Sequence, residues 1–234
     1  MKNIIQDKTK LVNSVFSKVN KKYDFMNDIM SLGVHRIWKK KFIDWMNPQQ
    51  NNTLVDVASG TGDIAKMFSK KIKDSAAISC VEPNEEMFQT GKKNLSKFKN
   101  IRWHKAKAEK LPFKSNTYDF YTISYGIRNV TDINLTLREA FRVIKPGGRF
   151  MCLEFSKVDN DLINFFYQNY SKVIPLVGKY VVGSSEPYNY LIKSISTFYN
   201  QFELAELMKK SGFSNIEYRN LSNGISAIHS GWKI

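Results

Sequence analysis

The most constraining feature of this 234-residue chain is the stretch TLVDVASGTGDIAKMF, residues 53–68. It sets apolar strand residues, one acid, a turn of small residues and a helical pattern end to end. Gly60 and Gly62 answer a backbone need, because only a residue without a side chain bends so sharply and lets a ligand lie against the main chain. That ligand would sit over the helix N-terminus. Twenty residues beyond Gly62 stands Glu82, ending the next strand-like run, where a carboxylate accepts hydrogen bonds from both hydroxyls of a ribose. The glycine pair with Ala65 also satisfies a loose dinucleotide pattern or an ordinary tight turn. The weight therefore falls on its combination with Asp56 and Glu82.

The rest of the chain supplies the frame for that turn. TLVDVA, AAISCVE, NIRWHKA, YDFYTIS and RFMCLEF read as short strands separated by segments with helical spacing, the mark of a parallel sheet flanked by helices. Near the C-terminus the order changes. A helix at about 201–211 ends at Gly212, and NIEYRNL and GISAIHS follow, joined only by Ser222 and Asn223. So short a link holds no crossover helix, so this pair runs antiparallel. Residues 9–47 read as helical, with Leu11, Val12, Val15, Phe16 and Val19 at three- and four-residue steps, and Pro48 breaks the pattern.

Thirty-six Lys and Arg against 21 Asp and Glu give a net charge of +15, which favours an anionic partner such as nucleic acid, an acidic lipid surface or an anionic ligand. A lysine-rich solvated surface accounts for the same number. Cys80 and Cys152 lie in strand-like runs and are too few for a disulfide framework, so a reducing compartment fits. No stretch approaches the roughly 18 apolar residues of a membrane span, and MKNIIQDKTK lacks the apolar core of a signal peptide. A cytoplasmic protein is expected on these grounds.

The acid, the alternating glycines, the carboxylate after the second strand and the terminal hairpin together resemble the seven-stranded S-adenosylmethionine-dependent methyltransferases. Two longer strings narrow this: YDFMNDIMSLGVHRIW at 23–38 and RVIKPGGRFMCLEFS at 142–156. With SGTGD, AEKLPF at 108–113 and SYGIRNVTD at 124–132, they are similar to the ubiquinone and menaquinone biosynthesis C-methyltransferases of the UbiE type. The likeness runs from about residue 10 to the C-terminal SGWKI.

The resemblance implies an α/β, Rossmann-like sheet of seven strands, mostly parallel with an antiparallel C-terminal hairpin, in a single methyltransferase domain over 1–234. Within it, 1–50 form a helical lid, 53–156 the cofactor-binding core, 157–200 a substrate-side helical insertion, and 201–234 the last helix and hairpin. It implies S-adenosylmethionine as cofactor, held by Asp56, Ala58, Gly60, Thr61, Gly62, Glu82, Lys107, Ala108 and Ser124. Lys107 departs from the Asn or Asp usual there and offers the adenine donors only.

The implied reaction methylates a ring carbon of a polyprenylated quinol, with no metal and no nucleic-acid partner. A phenolic ring carbon is a poor nucleophile while the hydroxyl, of pKa about 10, keeps its proton, so the site must favour phenolate. Arg128 and Asn129, directly after YDFYTIS, are candidates as a fixed cation and a holder of a quinol oxygen. Tyr125 can stack on the ring or face the sulfonium, and His35 can act as base or orienter. Each also has a plain packing role open to it, and so do the lid residues Tyr23, Asp24, Met26, Asn27 and Ser31. Ten aromatics between Phe165 and Phe202 suit a groove for the prenyl tail, a helix-packing core or a dimer interface. Lys39, Lys40 and Lys41 beside Trp38, Phe42 and Trp45 suit docking on an anionic membrane or a solvated helix face. Membership of a quinone-biosynthesis complex is also open. The rivals are a methyltransferase of the same fold acting on another small molecule or RNA, and an NAD-dependent oxidoreductase.

Overall fold

The computed structural model describes residues 33–158 and 186–234. These form one seven-stranded sheet in the order β3-β2-β1-β4-β5-β7-β6. Its strands are β1 (Leu54–Val57), β2 (Ile78–Val81), β3 (Ile101–His104), β4 (Tyr118–Ser124), β5 (Ile144–Phe155), β6 (Ser214–Leu221) and β7 (Ser226–Trp232). The first five run parallel, and β7 enters antiparallel between β5 and β6. The hairpin link is four residues rather than two, with Ser222, Asn223 and Gly224 all at positive φ.

Helices α1 (His35–Met46), α2 (Asp63–Lys71), α3 (Glu85–Asn94), α4 (Ile133–Val143), α5 (Glu186–Ser196) and α6 (Gln201–Lys210) surround the sheet. The caps are local. Asn84, Asp132 and Asn200 each accept from a backbone N–H three residues on, and Asn200 with Glu203 closes a capping box. Of the helix expected over 9–47, residues 35–46 are α1, while 9–32 lie outside the described residues, as do 159–185 of the expected insertion.

The two-residue period of the strands divides the core. Leu54, Phe120, Met151, Leu153 and Phe155 face α1, α2 and α5, where Phe42, Phe68 and Leu191 meet them. Val55, Val57, Tyr121, Ile123 and Phe150 face α4 and α6, meeting Leu137, Ala140, Leu204 and Met208. Adjacent β1 and β4 are flanked on both sides by parallel neighbours and buried on both faces, as central strands of such sheets are. The chain winds outward in opposite directions from this pair, and the crevice at its carboxyl edge is the usual ligand site of an open α/β sheet.

Phe68 is fully buried and meets Phe120 edge-on with centroids 6.0 Å apart. Phe68→Ala should lower the unfolding free energy by about 3–5 kcal/mol, read as a fall in the urea midpoint at unchanged slope.

Candidate functional site

At the carboxyl ends of β1 and β4 the backbone leaves ordinary geometry four times. Ala58 (φ 52°), Gly60 (56°), Gly62 (89°) and Tyr125 (55°) all take left-handed conformations. For Ala58 and Tyr125 this costs of order 1–2 kcal/mol each. The two turns then meet: a Cβ on Gly126 would stand 2.6 Å from the Cβ of Ala58. Gly62, the N-cap of α2, is wedged on Leu95 and Trp103, where a Cβ would come within 2.5 Å of Leu95. Gly60 is different. A Cβ there would meet no atom of the described residues within 4 Å, so among them the missing side chain leaves space open above the turn.

That space is a pocket of about 400 Å³, counted to its solvent mouth. Asp56, Ala58, Gly60, Thr61, Ser124 and Tyr125 line it, as the sequence leads one to expect, joined by Lys39, Ser59, Asp63 and Ile64. Asp56 is 1% exposed and sits opposite Thr122 in the β1–β4 register. The Thr122 hydroxyl donates to its Oδ1 at 2.7 Å, while its Oδ2 has no hydrogen-bond partner among the described residues. Burial raises its pKa to about 7, more than the Thr122 hydroxyl, the Ala65 amide and the Lys39 ammonium bring it down. The Ser124 hydroxyl is likewise buried without a hydrogen-bond partner among the described residues. A buried acceptor and a buried hydroxyl left unpaired beside an open pocket mark a place built for a polar ligand.

Glu82 stands beside the pocket. Its Oε2 accepts from the Gly60 amide and its Oε1 from the Asn84 amide, both at 2.9 Å, and burial pushes its pKa to about 7 against those two bonds. The carboxylate therefore fixes the glycine turn. Of the other expected contacts, Ala108 is buried while Lys107 is exposed, bridged to Lys110, and neither lines the pocket.

On the β4 side, Arg128 and Asn129 belong to a short 3₁₀ turn, Ile127–Asn129. The Arg128 guanidinium does not line the pocket. It donates to Glu154 Oε1 at 2.5 Å and to the Tyr125 carbonyl at 2.8 Å, with both ionic side chains 2% exposed. The fixed cation inferred from the sequence is thus balanced by a carboxylate, and removing either partner of such a pair costs about 3–5 kcal/mol. Glu154 gave a signal in retrospect, as the one acid inside the apolar run RFMCLEF. Asn129 Oδ1 accepts from the Tyr190 hydroxyl of α5 at 2.9 Å. The Tyr125 ring rests on Phe155, centroids 4.9 Å apart.

Helix α1 corrects the sequence reading in one respect. Trp38, Lys39 and Phe42 do not form an exposed basic-aromatic edge. They are buried with His35, Ile43 and Met46 on the face that packs against α2 and the sheet, leaving Lys40 and Lys41 exposed. Lys39 Nζ is 2.7 Å from Asp63 Oδ2. Burial raises the Asp63 pKa, but the Lys39 ammonium outweighs it and holds the carboxyl below its ordinary range. With Asp63 46% exposed, the pair is worth no more than about 1 kcal/mol. His35 is 2% exposed, on the same face, and does not line the pocket. Of the aromatics expected to form a groove, Phe198 packs in the core and Phe202 is exposed; Phe165, Phe166, Tyr167, Tyr170, Tyr180 and the Tyr188 side chain lie outside the described residues.

Residues 3–233 match the ubiE/COQ5 methyltransferase family. A ubiquinone/menaquinone biosynthesis C-methyltransferase UbiE from Rickettsia bellii (strain OSU 85-389) is 50% identical over 235 residues, covering 97% of this chain and 94% of the relative. The chain belongs to that family. The protein of the same name from Rickettsia prowazekii (strain Madrid E) is 48% identical over 231 residues, 96% and 93% of the two chains. Among solved structures, an S-adenosylmethionine-dependent methyltransferase from Thermotoga maritima, described as a possible histamine N-methyltransferase, shares the fold. Its TM-score is 0.66 at 22% identity, over 94% of this chain and 99% of that one. Membership makes this an S-adenosylmethionine-dependent methyltransferase and sets aside the NAD-dependent reading.

The pocket fits that donor. Its unpaired Asp56 oxygen suits an ammonium, Glu82 suits ribose hydroxyls, and the space over Gly60 lets a ligand reach the backbone. Contacts of this kind prefer the ionised carboxylates, which without ligand protonate near pH 7. Affinity for S-adenosylhomocysteine should therefore climb between pH 6 and 7 by up to tenfold per carboxylate and level off above. Titration calorimetry across that range measures it, and Glu82→Gln should weaken binding about tenfold and leave only the part of the rise that Asp56 contributes.

Proposed function

We propose that this chain methylates a ring carbon of a polyprenylated quinol, a 2-methoxy-6-polyprenyl-1,4-benzoquinol or a demethylmenaquinol, in ubiquinone or menaquinone biosynthesis. The observation that carries this reading is half identity to quinone C-methyltransferases along nearly the whole of both chains. S-adenosylmethionine supplies an electrophilic methyl group on a sulfonium, and the ring carbon that receives it gives up a proton.

The rest is the work of side chains. Asp56 takes the donor's ammonium and Glu82 its ribose, while the backbone at Gly60 and Thr61 forms the floor. Ser124 supplies a hydroxyl beside them, and Ala108 with Lys107 bounds the adenine end. Gly62 holds the turn against α2. Tyr125 presents its ring at the pocket wall, where an aromatic face attracts a cation by about 0.5–2 kcal/mol.

On the quinol side, Asn129 holds a ring oxygen, its amide oriented by Tyr190. Arg128 acts through others: tied to Glu154 and the Tyr125 carbonyl, it fixes the turn that carries both neighbours. Of the two roles open to His35, its burial favours that of an orienter within α1. The exposed Lys40 and Lys41 face an anionic membrane at its cytoplasmic side, where such a substrate resides.

The test is direct. Purified protein with S-adenosylmethionine and a short-chain quinol of either class should give a product one methylene heavier by mass spectrometry. No product from either quinol, with S-adenosylhomocysteine still bound, would overturn the substrate assignment. Asn129→Ala should cut turnover about 10- to 100-fold, the worth of one hydrogen bond to a charged oxygen, and leave S-adenosylhomocysteine affinity within twofold.

A further inference from the structure

Lys39 is the one pocket-lining residue that neither the glycine turn nor the strand ends account for. It arrives from α1, and its side chain is 11% exposed at the pocket wall. Lysine seldom occupies a helix face that is otherwise buried, yet here it lies in the apolar stripe of Trp38, Phe42, Ile43 and Met46. Its present partner, Asp63, is half exposed and itself lines the pocket. Asp56 lines the same space, and its buried Oδ2 has no hydrogen-bond partner among the described residues. The wall thus offers one positive group together with a buried carboxylate, the complement of a zwitterion.

We propose that Lys39 receives the α-carboxylate of the donor's amino-acid arm, leaving Asp63 to water, while Asp56 takes the α-ammonium. The proposal rests on the donor assigned above. Exchange of partners is easy because Asp63 can be hydrated where it stands. Lys39 thereby ties α1 to the bound donor, so this helix reads whether the amino-acid arm is in place.

The experiment pairs a change in the protein with a change in the ligand, by calorimetry on the full chain. S-adenosylhomocysteine carries both ionic groups, whereas its decarboxylated analogue keeps the ammonium and lacks the carboxylate. Lys39→Met should weaken S-adenosylhomocysteine roughly 10- to 100-fold, the range of one hydrogen bond between charged groups, and leave the decarboxylated analogue within twofold of wild type. Wild-type protein should discriminate between the two ligands by the same factor. Asp63→Asn, at a half-exposed position, frees Lys39 from competition and should tighten S-adenosylhomocysteine a few-fold without affecting the analogue.

Equal weakening of both ligands by Lys39→Met would make Lys39 a helix lock and overturn the proposal. So would wild-type protein that binds both alike, a reading that needs no variant to fold. A wild-type chain that binds neither ligand would overturn the donor assignment itself, which separates the two failures.

Discussion

A carboxylate buried between two central strands with one oxygen unsatisfied is the constraint from which the rest of this molecule follows. Asp56 is shut away from water, bonded by Thr122 on one side only and driven to a pKa of about 7. Such a group is costly to keep charged. It is tolerable here because β1 and β4 meet where the sheet's winding reverses, at the edge of a crevice that Asp56 lines. A cation held in that crevice would offset this cost, so the residue that is expensive to fold is also the one that favours a positively charged ligand.

The turns around it are built on the same logic. Ala58 and Tyr125 hold left-handed backbone that their side chains disfavour, and Gly126 lets the two turns touch. What holds them there lies just behind: Glu82 on the Gly60 amide, and the Arg128–Glu154 pair on the Tyr125 carbonyl. Both anchors are carboxylates that burial has made weaker acids. Position in this site is maintained by charge kept out of water as well as by the packing of Gly62 on Leu95 and Trp103 and of Tyr125 on Phe155.

How much of this the sequence discloses depends on how far each interaction reaches along the chain. The glycine turn and the antiparallel hairpin are local patterns, legible because period and turn chemistry need few neighbours, and they place Asp56 and Glu82 at the ends of β1 and β2. Arg128 looked like a cation aimed at substrate because its partner, Glu154, lies 26 residues away on the next strand. Lys39 looked like part of a basic edge because three lysines in a row mask the helical stripe to which only the first belongs. The pairing with Asp63 is visible only once α1 has packed on α2. Tyr190, similarly, was one of ten aromatics with nothing to single it out until its hydroxyl met Asn129.

One ring at the tip of β5 has an influence larger than its size. Phe155 is met edge-on by Trp38 of α1, stacked obliquely by Tyr125 and overlain by the Arg128 guanidinium. The helix that carries Lys39 and the turn that carries Asn129 thus lean on a single shared hinge post. A substitution that reshapes this corner therefore shifts α1 and the turn after β4 together, so neither wall of the crevice can be remodelled without the other.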